Sequence, residues 1–303
     1  MTVSAAESDV FAPASIAPQF VQARLAGVSV PGYPGGVLPA TMADGYAVQD
    51  IAIDSWPDEL IGWKVGYVPP QHQARLGAER LAGCIFRKNL WEAGAAPTPF
   101  RAIEGGFTAV EAEFIVRLGK DAPEGKTEWT AEEAAEYVGE LILGVEIAGS
   151  PLKTINVLGP PIVASDFGNN DGQILGPVLE NWRDIAWEDM AVETTINGVV
   201  VGTGTAASIP GSPLAALAFL LGHVASRGRP LKKGMLVTTG ASTGIHDVVA
   251  GDAARLALAP WDRWSASPSR QEHSKKNVQG KETCPWSSPQ PPNPPRRSVG
   301  IGG

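Results

Sequence analysis

Apolar and polar residues alternate along Val110-Glu111-Ala112-Glu113-Phe114 before the run Ile115-Val116-Arg117-Leu118, and that rhythm predicts a β-strand. Successive side chains on a strand point to opposite faces, so Glu111 and Glu113 share one face while Val110, Ala112 and Phe114 share the other. Leu60 to Tyr67 reads the same way, with Ile61, Trp63, Val65 and Tyr67 on one face and Gly62, Lys64 and Gly66 on the other. Glu193 to Ile196, Asn197-Gly198 and Val199 to Val201 predict a hairpin, because Asn-Gly suits the tight turn that strand twist requires. Further strands are expected over Met235–Thr239 and within Ala253–Ala259.

Helical spacing appears over Ile16 to Ala26 and again after Thr41, where Asp44 completes a capping box before Tyr46, Val48 and Ile51. These two helices could pack on the main domain or reach a neighbouring subunit. Thr130 and Glu133 repeat the capping signature. They predict a helix through Ala134, Tyr137, Val138, Leu141 and Ile142 that ends at Gly144, with Val145-Glu146-Ile147 just beyond it. Ser212-Pro213 opens a helix through Leu214, Leu217, Leu221 and Val224, closed at Gly228. Turn formers crowd Ala164 to Gly172, which reads as a loop. The text after Pro260 loses all periodicity and ends in a Pro-rich run, so residues 261–303 are expected to be disordered.

Composition narrows the class. The chain has 303 residues, 44% of them hydrophobic, enough for a large core. Net charge is −8 with no basic patch before the last stretch, which argues against nucleic acid as a partner. Two cysteines, Cys84 and Cys284, make neither a disulfide framework nor a zinc site, so a reducing cytoplasm is expected. No apolar run reaches membrane-spanning length, and the first residues lack the basic and apolar regions of a secretory leader. The 35 glycines and 26 prolines imply many turns and hence substantial β content.

Two side-by-side carboxylates repel each other when buried, and a hard divalent cation with oxygen ligands removes that cost. Glu111 and Glu113 are therefore candidate metal ligands, although a bare Glu-x-Glu on its own more often marks a solvated strand face. Glu146, between two β-branched residues, is a candidate third ligand, since a carboxylate in an apolar setting needs a partner. Lys64 lies between two glycines on one strand face, which leaves room for a group to approach its ammonium; an edge-strand lysine is the plain alternative. Gly240-Ala241-Ser242-Thr243-Gly244 fits the G-x-S-x-G pattern, but no helix pattern follows and no acid and histidine stand downstream in order, so the match is treated as accidental.

In order along residues 40–259, Gly62-Trp63-Lys64-Val65-Gly66, Val110-Glu111-Ala112-Glu113, Val145-Glu146, Ala164-Ser165-Asp166 with its Asn-rich turn, Ile174-Leu175-Gly176, Pro213-Leu214 and Val237-Thr238-Thr239-Gly240 resemble the fumarylacetoacetate hydrolase superfamily. The likeness is greatest to its 2-keto-4-pentenoate hydratase and 4-oxalocrotonate decarboxylase branch. The resemblance implies an α+β fold: a mixed β-sheet roll with outer helices over residues 59–260, preceded by an N-terminal helical arm over 1–58. It implies Mg2+ or Mn2+ held by Glu111, Glu113 and Glu146, an active-site lysine at Lys64, and substrate contacts from Asp166, Asn169, Thr239, Gly240 and Ser242. The activity implied is hydration of a 2-hydroxy-2,4-dienoate in aromatic-compound catabolism by a cytoplasmic homo-oligomer. Three alternatives stand beside it: a 4-oxalocrotonate-type decarboxylase, a C–C hydrolase, and a non-catalytic binding protein. The sequence departs from the hydratases, which often carry an acidic residue shortly before a Gly-x-x-Phe turn: the turn expected here is Gly83-Cys84-Ile85-Phe86, preceded by Leu81-Ala82 with Glu79 further back.

Overall fold

The computed structural model describes residues 10–259 and 264–269. Two helices come first, α1 (Pro13–Ala26) and α2 (Met42–Ser55). α1 begins at a proline and stops at Gly27, whose φ of 68° lies in the left-handed region that glycine tolerates. α2 opens with the expected capping box: Asp44 N–H donates to Thr41 Oγ1, and Thr41 N–H donates to Asp44 Oδ2. Both helices lay apolar faces on the main core, through Ile16, Phe20, Val48 and Ala52. The arm is thus part of the domain.

One short helix and four strands follow: β1 (Leu60–Tyr67), α3 (Pro70–Leu76), β2 (Arg80–Phe86), β3 (Leu90–Glu92) and β4 (Thr98–Arg101). Two long strands come next, β5 (Phe107–Leu118) and β6 (Val138–Ser150), with the one-turn α4 (Ala131–Ala135) before the latter. Then come α5 (Ile155–Leu158), α6 (Pro160–Ser165), β7 (Asn170–Val178), β8 (Ala191–Ile196), β9 (Val199–Thr205), α7 (Ser212–Ser226), β10 (Leu236–Asp247), β11 (Ala254–Ala259) and β12 (Trp264–Ser269).

A seven-stranded sheet has the order β2-β1-β10-β5-β6-β7-β3, and a five-stranded sheet the order β4-β12-β11-β8-β9. Each mixes directions: β1 runs parallel to β10 and β12 parallel to β4, while the central pairs β10–β5, β5–β6 and β6–β7 are antiparallel. With the helices packed against the core, this is the expected α+β roll.

The central strands are buried on both faces, and their alternation is strict. Val110, Ala112, Phe114 and Val116 of β5, with Leu141, Leu143, Val145 and Ile147 of β6, face the main core. Ile115 and Ile142 face the other way, into a small cluster with Ile61, Ile85, Leu175 and Leu236. Glu111, Glu113 and Glu146 continue the rows of Ile115 and Ile142, so they share that second face.

Four expectations are corrected. The helix predicted from Thr130 to Gly144 ends at Ala135, and Leu141, Ile142 and Gly144 lie in β6. The capping box forms, yet the long apolar run that follows pairs with β5 and β7 on either side, and sheet pairing overrides helical spacing that an apolar run satisfies equally well. Ile61 does not share a face with Trp63 and Val65, because a bulge between Leu60 and Gly62 turns it to the opposite cluster. Gly83 to Phe86 is not a turn but part of β2. Within the segment expected to be disordered, β12 pairs with β11 and β4; its residues 261–263 and 270–303 lie outside the described residues.

Candidate metal centre and cavity

The register of β5 against β6 sets Glu111 directly opposite Glu146. Glu113 lies opposite Gly144, where a side chain would collide: a Cβ there would stand 2.0 Å from Ile115 Cδ1 and 2.8 Å from Ile174 O. One carboxylate oxygen from each of Glu111, Glu113 and Glu146 lies within 4.8 Å of the others, and the three residues are at most 3% exposed.

Partners hold two of the three carboxylates from one side. Gly240 N–H donates to Glu113 Oε2 at 2.7 Å, and Thr238 Oγ1 donates to Glu146 Oε2 at 3.1 Å. Lys64 Nζ forms an ion pair with Glu146 Oε1 at 3.0 Å and donates to Asn169 Oδ1 at 3.0 Å. The Oε1 atoms of Glu111 and Glu113 are buried without a hydrogen-bond partner. Buried carboxylate oxygens without donors are costly, and two such oxygens beside the Glu146 carboxylate suit a divalent cation with oxygen ligands.

The electrostatics follow from this crowding. Burial raises the Glu111 pKa to about 7, with Lys64 opposing and Glu146 adding to the rise. Burial also raises Glu113 well above the carboxylate range, helped by Glu146 and then Glu111. For Lys64 burial is the largest single influence and pulls the pKa down, but the summed attraction of Glu146, Glu111 and Glu113 outweighs it, and the net shift is upward. A lowered Lys64 pKa, expected beside a bound cation, is therefore not what the protein's own groups produce.

Of the two glycines that flank Lys64, Gly66 borders its side chain, a Cβ there standing 3.6 Å from Lys64 Cε, but Gly62 does not. A Cβ on Gly62 would lie 2.4 Å from Leu236 O, so that glycine serves the close approach of β10. The turn Phe167-Gly168-Asn169 does the positioning. All three residues have positive φ (54°, 65° and 57°), and a Cβ on Gly83 would stand 2.1 Å from Phe167 O. The turn thus rests directly on the β2 backbone and delivers Asn169 to Lys64, while Asn169 Nδ2 donates to Asn156 Oδ1 at 2.9 Å. Sequence reading missed Asn156 and Gly83; the cluster of turn formers around Asn169 was the available signal.

A cavity of about 450 Å3 opens above this floor, lined among others by Lys64, Glu111, Asn156, Asn169 and Gly240. Thr239 also lines it, although its hydroxyl donates to Phe114 O. Two expected substrate contacts do not line it. Asp166 is buried, its carboxylate taken by Arg24 (Nε to Oδ1, 2.5 Å; Nη2 to Oδ2, 2.9 Å) and by Ser150 Oγ at 2.6 Å. Ser242 is 5% exposed, and its Oγ has no hydrogen-bond partner. The G-x-S-x-G stretch lies inside β10, not on a strand-to-helix turn. His72, on α3, lines the cavity.

The profile of the fumarylacetoacetate (FAA) hydrolase C-terminal region matches residues 92–273. The chain belongs to the fumarylacetoacetate hydrolase family. It is an enzyme of the 2-keto-4-pentenoate hydratase and 4-oxalocrotonate decarboxylase branch. It is 30% identical over 247 residues to 2-keto-4-pentenoate hydratase 2 of Dechloromonas aromatica, covering 78% of this chain and 92% of that one. It is also 26% identical over 184 residues to a 4-oxalocrotonate decarboxylase of Pseudomonas sp, covering 60% and 68%. The fold matches that of 4-oxalocrotonate decarboxylase from Pseudomonas putida G7, solved with calcium and acetate, at a TM-score of 0.69 and 20% identity over 88% of this chain and 100% of that one. The same enzyme was also solved with magnesium and adipate. No helix among the described residues is long and apolar enough to cross a membrane.

Proposed function

We propose that this enzyme of the fumarylacetoacetate hydrolase family adds water to a 2-hydroxy-2,4-dienoate of the 2-keto-4-pentenoate type, giving a 4-hydroxy-2-oxo acid. The observation that carries the reading is the buried Glu111–Glu113–Glu146 cluster with Lys64 held against it, at the floor of a cavity in a chain whose 30%-identical relatives are named as hydratases of that substrate.

Glu111, Glu113 and Glu146 would hold Mg2+ or Mn2+. Bound there, the ion supplies Lewis-acid stabilisation of enolate charge beside the substrate carboxylate. The substrate ketonises, moving its enol proton to C5 and leaving an α,β-unsaturated ketone. Water oxygen then bonds to C4, and a proton goes to C3. In both steps negative charge passes through the enolate oxygen. Lys64 is the cation at the cavity floor that faces this charge, and it relays protons at Nζ. Asn169 Oδ1 fixes that atom, and Asn156 fixes Asn169 in turn. The Gly240 N–H and the Thr238 hydroxyl keep Glu113 and Glu146 aimed at the common point. Leu81, Val163 and Ile209 give the cavity apolar walls against which the diene would pack.

Loss of CO2 from a 4-oxalocrotonate-type substrate reaches the same enolate, and it is the second reading. Leu81, where the resembling hydratases carry an acid, favours it, because decarboxylation needs no group to activate water. Purified protein assayed on 2-hydroxypenta-2,4-dienoate and 2-oxo-3-hexenedioate, with Mg2+ and with EDTA, decides. Mg2+-dependent loss of dienoate absorbance with formation of a 4-hydroxy-2-oxo acid supports hydration. CO2 release from the diacid as the main reaction would replace it.

A further inference from the structure

Arg24, on α1, is buried and does not line the cavity, yet its guanidinium is directed at the turn that reaches Lys64. Nε donates to Asp166 Oδ1 at 2.5 Å, and Nη2 donates to Asp166 Oδ2 at 2.9 Å and to Asp166 O at 3.1 Å. Nη1 donates to Asn170 O at 2.9 Å and to Asp171 Oδ1 at 3.3 Å. Asp166 and Asn170 stand on either side of Phe167-Gly168-Asn169, so one side chain grips both ends of that turn. Nη2 also donates at 2.9 Å to Gly149 O on β6, the strand that carries Glu146. A Cβ on Gly149 would stand 2.7 Å from Asp171 Cβ, so the missing side chain lets the exit of the turn settle against β6.

The grip matters because the turn is strained. Phe167 and Asn169 carry side chains and hold φ of 54° and 57°, in the left-handed region that such residues rarely adopt. Backbone of this kind persists only where its surroundings impose it. Within the turn, Asn169 N–H donates to Asp166 O at 2.9 Å and Asn170 N–H to Phe167 O. Lys64 Nζ is held between Glu146 Oε1 on β6 and Asn169 Oδ1 on the turn, each 3.0 Å away. By joining Gly149 of β6 to both ends of the turn, Arg24 sets where those two groups stand relative to each other. A planar fork with donors on three nitrogens can meet carboxylate and carbonyl acceptors on both sides of the turn at once; a single ammonium cannot.

Resting on the reading that Lys64 faces the enolate charge, we propose that Arg24 is a positioning residue for the reaction. It acts through Asn169, whose turn it clamps to β6, and so holds Lys64 Nζ in place. The N-terminal helix α1 is thereby a working part of the site, although Arg24 lines no part of the cavity.

A double-mutant cycle on the Mg2+-loaded protein tests this. Arg24→Lys keeps a charge beside Asp166 and gives up the fork. Its kcat on 2-hydroxypenta-2,4-dienoate should fall roughly 10- to 100-fold, the effect of a misplaced group. KM should change less than about threefold, because Lys64 meets charge that develops after binding. In an Asn169→Ala background the same substitution should lower kcat by about twofold or less, since the group it acts through is gone. Hydrogen exchange reads the clamp without turnover: in Arg24→Lys the Asn169 and Asn170 amides should exchange roughly tenfold faster, while those of β5 and β6 keep the parental rate. Asp166→Asn removes the charged acceptor of the clamp and takes the place of Arg24→Lys in every arm if that variant does not fold. An equal loss of kcat in both backgrounds, an unchanged kcat, or exchange that is unchanged at the turn or raised evenly across the core would make Arg24 a plain structural ion pair and overturn the proposal. A parent that turns over no dienoate sinks the hydratase reading instead; the cycle is then read on CO2 release from 2-oxo-3-hexenedioate, and the exchange result decides the clamp with either substrate or none.

Discussion

Removing divalent metal should make this protein pH-sensitive in a direction set by its glutamates. In the protein alone the Glu111 pKa is raised from 4.5 to about 7, chiefly by burial. The folded state then holds a proton that the unfolded chain releases. A raised carboxyl pKa leaves stability intact below about pH 4.5 and erodes it as pH climbs to about 7. A shift of this size at ~1.4 kcal/mol per unit comes to about 3 kcal/mol. Glu113 is raised further and adds in the same direction at higher pH. Lys64, also raised, matters only above its ordinary range. His223 pulls the other way: burial, then Arg227, lower its pKa from 6.5 to about 4, so stability it contributes at neutral pH is lost on acidification.

The assay is therefore a difference. Melting is followed at pH 5 and pH 8, in EDTA and in Mg2+, and the Mg2+-induced rise in Tm is compared between the two conditions. His223 acts equally with and without the ion and cancels. Metal needs the carboxylates deprotonated, so the rise should be larger at pH 8. About 3 kcal/mol corresponds to roughly 6–12 °C for a domain of this size. Glu111→Gln should raise the melting temperature in EDTA at pH 8 and abolish most of the Mg2+ response. A Mg2+ effect that is the same at both pH values would refute the linkage of this cluster to the metal.

Other outcomes follow from single contacts. Lys64→Met keeps the stem and removes the charge; kcat on the dienoate should fall roughly a hundredfold, as when one oxyanion donor is lost, with Mg2+ still shifting the melt. Near-parental kcat/KM would make Lys64 structural. Gly83→Ala would place a methyl 2.1 Å from Phe167 O and push back the turn that carries Asn169. Activity should drop roughly 10- to 100-fold through misplacement of Lys64, and unchanged kinetics would show that the turn does not position it. Arg24→Met leaves the buried Asp166 carboxylate without a cation and takes from Asp171 one of its two arginines, the other being Arg101, which should cost about 3–5 kcal/mol in chemical denaturation. A loss below about 1 kcal/mol would mean the network is dispensable.

Much of this protein could be read from short-range pattern. Alternation placed Glu111 and Glu113 together on one face of a strand, and the capping residues marked where α2 and α4 begin, because these features depend on residues only a few positions apart. The ordered segments also identified the family. What sequence left open depends on partners distant along the chain. Whether Leu141 to Glu146 is helix or strand was decided by β5 and β7, which bury both its faces and set Glu146 opposite Glu111. Asp166 has the chemistry of a site residue, yet Arg24, 142 positions away, occupies its carboxylate. Gly83 is read as a turn residue in one dimension, and only the contact with Phe167 shows that its missing side chain seats Asn169 on Lys64. Local periodicity specifies faces; which faces meet, and hence which charges must share a buried space, is fixed by packing across the whole chain.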